Sequence, residues 1–385
     1  MKILIVHNEY MLKSGEETAV NNEVAALRHA GHEVLTYFVS NTEVNNIFRK
    51  ISAGLSTIYS FKHKRRISKI LANQAPDIVH VHNFFPLISP SVFYACKDAN
   101  IACVHTLHNY RIVCPSTTLF HDKKIYKEGI NRNYLKVILD RVYRHSFVAT
   151  TLLTMSIIFH KLINTWTRVD ALIALSDFQK NIFDQQVSAN VEVLPHFTSA
   201  PPANLNLIKP FSQLPKHFHI YAGRLEYEKG IVTLVESWPS DENLIIVGSG
   251  TEENVLNRLI KQRTNIFLLG QKSKEDVLRL MSKAQSCVVP SVVHETFGLA
   301  IIESISVGTP VIANNLEPFK SLITEGETGF LFDLSSPRSL DIALKKIVKT
   351  NTSLRRGCID HYRIHYTEAV GVARLEKLFS ELIKH

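Results

Sequence analysis

The 385-residue chain has little of what would tie it to covalent or metal chemistry. Its five cysteines, Cys96, Cys103, Cys114, Cys287 and Cys358, are odd in number, lack any Cys-x-x-Cys spacing and sit mostly among apolar residues. That argues against a disulfide framework or a zinc ribbon and reads as reduced core thiols in a cytosolic protein. There is no Asp-x-Asp pair of the kind that holds a divalent ion against a diphosphate. No signal-peptide pattern is visible, because the apolar strand Lys2–Val6 runs straight into polar sequence. The apolar stretch Phe147–Phe159 has thirteen residues, and a bilayer span needs roughly 20. The formal charge of +9 asks for an acidic partner, yet no zinc-finger spacing or RNA-recognition signature points to nucleic acid. Internal repeats and low-complexity tracts are absent.

What the chain does have is strand–helix alternation, twice over. Hydrophobic residues at 45% and charged residues at 21% are proportions of a folded protein, and the length suits two ordinary domains. Apolar strands are expected at Lys2–His7, His32–Phe38, Ile78–His82, Ala102–Leu107 and Ala171–Leu175. A helix from Thr18 to Ala30 is ended by Gly31, and another is capped by Ser176. Periodicity then fails from His196 to His217, where Pro201-Pro202, Lys209-Pro210 and Leu214-Pro215 mark a linker. Strands resume at Ile220–Ala222, Leu244–Val247, Ile266–Leu268, Ser286–Val289 and Val311–Ala313. Such alternation predicts an α/β fold with parallel, doubly wound sheets. The expected layout is two Rossmann-like domains facing a central cleft, residues 1–195 and 218–361, joined by the linker 196–217 and followed by a C-terminal helix, 362–385.

Two motifs carry chemistry. In Glu295-Thr296-Phe297-Gly298-Leu299-Ala300-Ile301-Ile302-Glu303, two carboxylates flank a Phe-Gly pair just after the apolar run ending Pro290-Ser291. A helix starting at Phe297 would put Glu303 in its early turns. Backbone N–H groups at a helix start favour phosphate, and carboxylates accept from sugar hydroxyls. The second motif, Gly223-Arg224-Leu225-Glu226-Tyr227-Glu228-Lys229-Gly230, follows a strand and opens a helix. Arg224 offers a forked donor and Lys229 a mobile point charge, a pair suited to a diphosphate. Either motif alone also fits an ordinary solvated turn; the two in this order are far more specific.

With both motifs in place, the chain resembles the family-4 retaining glycosyltransferases of the GT-B fold, nearly end to end. The segments Pro76-Asp77-Ile78-Val79-His80-Val81-His82-Asn83 and Thr106-Leu107-His108-Asn109-Tyr110-Arg111 look like its bacterial surface-polysaccharide branch. The resemblance implies that Arg224 and Lys229 hold the donor's diphosphate, that Glu295 contacts the transferred sugar, and that Glu303 binds the ribose. Phe297, Gly298 and Leu299 would belong to the donor site, and backbone around Gly270 would read the base. Gly15 and Glu16 would lie in the acceptor-side loop, although Ser14 stands where members often have a second glycine. His108 matches a cleft histidine near the donor sugar, and the last helix would cross back onto the first domain. The stretch His121–Gly129 lacks the paired cysteines that related chains carry, so no metal-stapled loop is expected there. His80, His82 and His105 invite a metal reading, but no Asp, Glu or Cys pattern accompanies them in sequence, and no metal is expected.

The implied activity is transfer of a sugar from a UDP- or GDP-linked donor to a hydroxyl of a lipid-linked glycan in surface-polysaccharide synthesis. Neither metal nor other cofactor is expected. Basic residues Arg49-Lys50, Lys62–Arg66, Arg132, Lys136, Arg141 and Arg144 beside the apolar helix suggest a cytoplasmic protein resting on an anionic membrane surface. Two alternatives remain open at this point: a nucleotide-sugar epimerase of similar fold, and a silent scaffold subunit of a polysaccharide assembly complex.

Overall fold

The computed structural model describes residues 1–9, 15–40, 57–206, 211 and 213–383. Ser14, Arg49, Lys50, Lys209 and Pro210 lie outside these described residues. The chain divides into two compact units, one formed by Met1–His196 with Gly371–His385 and the other by Phe197–Val370.

In the first unit, β1 (Lys2–Glu9), β2 (Glu33–Ser40), β3 (Ile78–Asn83), β4 (Ala102–Thr106), β7 (Ala171–Ala174) and β8 (Val191–Val193) form one parallel sheet in the order β2-β1-β3-β4-β7-β8. A short antiparallel hairpin, β5 (Phe120–His121) with β6 (Lys124–Ile125), stands apart from it. The central strands are buried on both faces, as parallel sheets require, with His80, His82 and His105 among their mostly apolar residues. Leu4, Val6, Val79, Val81 and Leu172 are all essentially buried. Strand order reverses between β1 and β3, and ligands of open α/β sheets bind at such points, beyond the strands' carboxyl ends.

The second unit repeats the plan with β9 (His219–Ala222), β10 (Leu244–Val247), β11 (Ile266–Leu268), β12 (Cys287–Val289), β13 (Val311–Asn314) and β14 (Gly329–Phe332). Their order is β11-β10-β9-β12-β13-β14, so here the reversal lies between β9 and β12. Its core gathers Ile220, Ile246, Val288 and Ile312 from the strands with Leu234, Leu344 and Ile347 from helices.

Three elements differ from the sequence expectation. The first helix spans Gly15–His29, so Gly15 and Glu16 occupy its first turn rather than a loop; Glu16 and Glu17 there complement the positive end of the helix dipole. Gly31, at φ +85°, ends that helix region in the left-handed conformation that glycine adopts without strain. The helix expected from Phe297 begins at Leu299, with Gly298 as its N-cap, and Phe297 stays in the preceding loop. Finally, the C-terminal region is two helices, Pro337–His365 and Glu368–Ile383, broken at Tyr366-Thr367, where Thr367 bridges to Thr198. The last helix returns to the first unit: Glu376 Oε1 is 2.8 Å from His32 Nε2, and the Phe379 ring packs edge-on against His80.

Candidate functional site

In the second unit the two motifs meet at the reversal between β9 and β12. Chain leaving β9 carries Arg224 and a 3-10 turn, Tyr227–Lys229; chain leaving β12 carries Ser291 and Glu295. Val292 N–H donates to Glu228 O at 3.0 Å, which ties the loops together through backbone. Lys229 Nζ then lies 2.7 Å from Glu295 Oε1, and the Ser291 hydroxyl donates to the same oxygen. Arg224 Nη2 donates to Glu228 Oε1 at 2.9 Å. Both expected phosphate-binding cations therefore carry a carboxylate partner of their own.

Gly230 makes this convergence possible. It has φ +69°, and a Cβ there would stand 2.0 Å from Pro290 O, so only glycine lets the turn press onto the strand exit. Gly248, after β10, is equally constrained, since its Cβ would stand 1.8 Å from Gly223 O. Gly270 has a positive φ and its carbonyl accepts from Gly248 N–H at 3.1 Å, which brings the loop after β11 against the turn after β10.

Glu303 lies about one turn into the short helix Leu299–Ser306, with Lys274 Nζ 3.6 Å from its Oε1. Burial pushes its carboxyl above the usual range, and Lys274 opposes that shift only in part. Phe297 is buried, its ring edge-on to Tyr366. Lys274 sits in an otherwise ordinary Ser273-capped helix and carries no local sequence signal, and neither does Glu228 as the partner of Arg224.

The first unit assembles a histidine cluster at its own reversal point. His7 comes from β1, His80 and His82 from β3, His105 from β4, and His108 and His196 from the chain beyond β4 and β8. His82 Nδ1 is 3.0 Å from His108 Nε2, and the His108 and His196 rings stack with centroids 5.2 Å apart. Desolvation depresses His7 and His196 to about 4 and His105 to about 3, and it holds His108 well below the ordinary imidazole value, so the rings are neutral near pH 7. Glu16, by contrast, is pushed up to about 8 by burial, with Arg111 opposing.

One expectation needs correcting here. The histidines do have a carboxylate among them: Glu23, from the first helix, places Oε1 2.7 Å from His80 Nδ1 and 3.1 Å from His82 Nε2. Sequence spacing hid it because Glu23 is 57 residues away from His80 and looks like any polar position of an amphipathic helix. Among the described residues a second group of metal-type ligands, His121, Asp122 and His145, also lies close together. His121 and Asp122 open the stretch where no metal-stapled loop was expected.

The profile described as "Glycosyltransferase Family 4" matches residues 13–199 and that described as "Glycosyl transferases group 1" matches residues 207–363, together most of the chain. An uncharacterized glycosyltransferase of Methanocaldococcus jannaschii is 23% identical over 92% of this chain and 90% of its own length. A phosphatidyl-myo-inositol mannosyltransferase of Mycolicibacterium smegmatis is 22% identical over 95% of this chain and 89% of its own. Among solved structures, a sucrose-phosphate synthase from Thermosynechococcus elongatus superposes with a TM-score of 0.71 at 17% identity, covering 100% of this chain and 99% of the other. Anabaena HepE in complex with UDP superposes with a TM-score of 0.69 at 16% identity, covering 99% of this chain and all of the other.

Proposed function

Because this chain belongs to the family-4 glycosyltransferases of the GT-B fold, we propose that it moves a sugar, with retention of configuration, from a nucleoside-diphosphate sugar to a hydroxyl of a lipid-linked surface glycan. The observation that carries this reading is the meeting of Lys229 and Glu295 beside the start of the Leu299–Ser306 helix. In it a cation and a carboxylate stand together beside a helix start, where the fold places ligands. On donor binding, Lys229 and Arg224 turn from their carboxylates to the diphosphate, and Glu295 accepts from hydroxyls of the sugar. As the bond to the phosphate breaks, positive charge grows on the sugar ring and negative charge on the leaving group, and the preorganised cations stabilise the latter. The acceptor attacks from the face the phosphate leaves, and the phosphate takes the proton. Glu303 holds the ribose. No metal is required, because Arg224, Lys229 and the helix start supply the positive charge.

The acceptor's lipid is supported by a relative whose name declares a phosphatidyl-myo-inositol substrate and by one helix of this chain. Phe147–Leu162 is apolar on its outer side, while its buried side mixes Leu153 and Ile157 with polar residues. Val148, Met155 and Leu162 are 66, 54 and 75% exposed, whereas Thr150, Thr154, Ser156 and His160 are buried. Inward polar groups find protein partners: Thr154 donates to Thr150 O, His160 Nδ1 lies 2.8 Å from the Thr165 hydroxyl, and His160 Nε2 lies 2.8 Å from Ile58 O. Leu135 and Leu139, on the preceding short helix, are exposed as well. Between Lys123 and Arg168 the chain has nine Lys or Arg against two acidic residues, Glu128 and Asp140. An exposed apolar stripe in a basic surround is the pattern of a helix lying in an anionic membrane interface. No helix among the described residues is long and apolar enough to cross a membrane.

The deciding experiment offers purified protein a panel of UDP- and GDP-sugars with a lipid-linked acceptor, with and without a chelator. Transfer that survives chelation and keeps the anomeric configuration is expected. Binding without turnover would instead make the chain a scaffold, and isomerisation of the free donor would make it an epimerase.

A further inference from the structure

The tip of the β5–β6 hairpin and the entry to the helix Phe147–Leu162 bring three metal-type ligands together, none of them a residue assigned to sugar transfer. His121 ends β5, Asp122 follows it in the turn, and His145 stands one residue before Ser146, the N-cap of that helix. One ligand atom from each lies within 4.8 Å of the others. His121 is the anchor. Its side chain is 6% exposed, and the Tyr126 ring meets it edge-on with centroids 5.5 Å apart. Its Nε2 is buried and has no hydrogen-bond partner; Asp122 Oδ2 stands 3.3 Å away, outside hydrogen-bond geometry. A buried polar atom in that state calls for another partner, such as an ion.

The spacing supplies one. A tetrahedral zinc ion with ligands at about 2.0–2.1 Å spreads them roughly 3.3 Å apart, and 3.3 Å separates His121 Nε2 from Asp122 Oδ2. In the buried group, by contrast, His80 Nδ1 stands only 2.7 Å from Glu23 Oε1. His145 is exposed, its ring centroid 5.5 Å from that of His121, so turning about its side-chain bonds brings a nitrogen to the ion. Two imidazoles and a carboxylate suit zinc; calcium and magnesium sites are built from oxygen. Asp122 is exposed too, which leaves the fourth position to water. Lys123, Lys124 and Arg144 are all exposed, so water and salt screen their charge. Both ligand-bearing turns are unusual in backbone: Asp122 and Lys123 have φ +46° and +62°, Arg144 and His145 +55° and +51°, the left-handed region that few non-glycine residues occupy. A shared ion would hold these two turns against each other. We propose that His121, Asp122 and His145 bind one zinc ion, which staples the β5–β6 hairpin to the entry of the helix Phe147–Leu162. Imidazole and carboxylate thus do what paired cysteines, absent from this stretch, do not. No donor-site residue takes part, so a zinc staple here is compatible with transfer that needs no metal.

The test uses the untagged full chain, stripped with a chelator and then dialysed against buffered zinc. Metal analysis should find one zinc ion per chain. Asp122→Asn and His145→Asn place a residue that tolerates the left-handed backbone at an exposed site, so both variants should fold. Competition with a chromophoric chelator should show each binding zinc more weakly, by at least the roughly hundredfold that loss of an outer-shell partner can cost. Glu23→Gln, in the buried group, should bind zinc as the wild type does. Zinc should also slow amide hydrogen exchange at residues 121–124 and 144–149 of the wild type and leave it unchanged in His145→Asn. Absence of stoichiometric zinc overturns the proposal, as does zinc held equally by His145→Asn or lost in Glu23→Gln. Zinc that binds without slowing exchange in both turns overturns the staple as well. Should Glu23→Gln fail to fold, Asp122→Asn and His145→Asn decide.

Discussion

The two cations of the phosphate-side turn are not equivalent. Arg224 has a side chain 54% exposed and pairs with Glu228, while Lys229 is 22% exposed and pairs with Glu295. Each should contribute a charge-assisted contact to the diphosphate, worth about 1.5–3 kcal/mol, or about tenfold to a hundredfold in rate. Lys229→Ala should sit at the upper end, because it also strips Glu295 of its cation, and Arg224→Ala at the lower. Transfer at the wild-type rate by both variants would refute the clamp. The carboxylates separate in another way. The ribose is held alike in ground and transition states, so Glu303→Gln should mainly weaken nucleoside-diphosphate binding. The sugar changes charge during transfer, so Glu295→Gln should mainly lower kcat. Calorimetric titration with nucleoside diphosphate reads the difference: poor binding by Glu303→Gln and near-normal binding by Glu295→Gln, with the reverse pattern meaning exchanged roles.

At the scale of elements, the helix Phe147–Leu162 allows a test that leaves the core alone. Met155, Phe159 and Leu162 are exposed, so the triple change to Gln should fold normally yet lose binding to anionic vesicles, each inserted apolar side chain being worth about 1.5–3 kcal/mol at full burial. Neutralising Lys62, Arg65 and Arg66 should cost about 1 kcal/mol per residue near the surface; Lys64 is a poorer choice, since Asp98 Oδ2 lies 2.6 Å from its Nζ. Equal sedimentation of wild type and both variants with vesicles would assign these groups to a solvated face. Strands such as Lys2–Glu9 and Leu244–Val247 were legible because burial on both faces demands unbroken apolar runs, and so were the glycine-punctuated turns after them. Helix starts were read less well: acidic Glu16-Glu17 marked a first turn that looked like loop, and Gly298 capped a helix that Phe297 had seemed to open. Partners distant in sequence, Glu23 for His80 and His82 and Lys274 for Glu303, left no local signal, because only folding brings their elements together.

Across the whole molecule, the buried rings make stability depend on pH in a definite sense. His7 and His196, at about 4, and His105, at about 3, have folded values below the 6.5 of an exposed imidazole, and His82 and His108 are depressed as well. Between these values the unfolded chain binds protons that the folded chain refuses, so stability is full above 6.5 and falls as pH drops toward 4. Glu16 acts the other way. Its folded value of about 8 lies above the 4.5 of an exposed glutamate, so its contribution is full below 4.5 and is lost as pH rises toward 8. In the shared window from 4.5 to 6.5 several histidines oppose the raised carboxyls of Glu16 and Glu303, and the histidines set the slope. The urea midpoint should therefore fall steadily from pH 6.5 to pH 4.5, and His196→Gln, which removes one titrating ring, should flatten that fall. A midpoint that holds level or rises on acidification through this window would mean that the rings are solvated or already protonated in the folded protein.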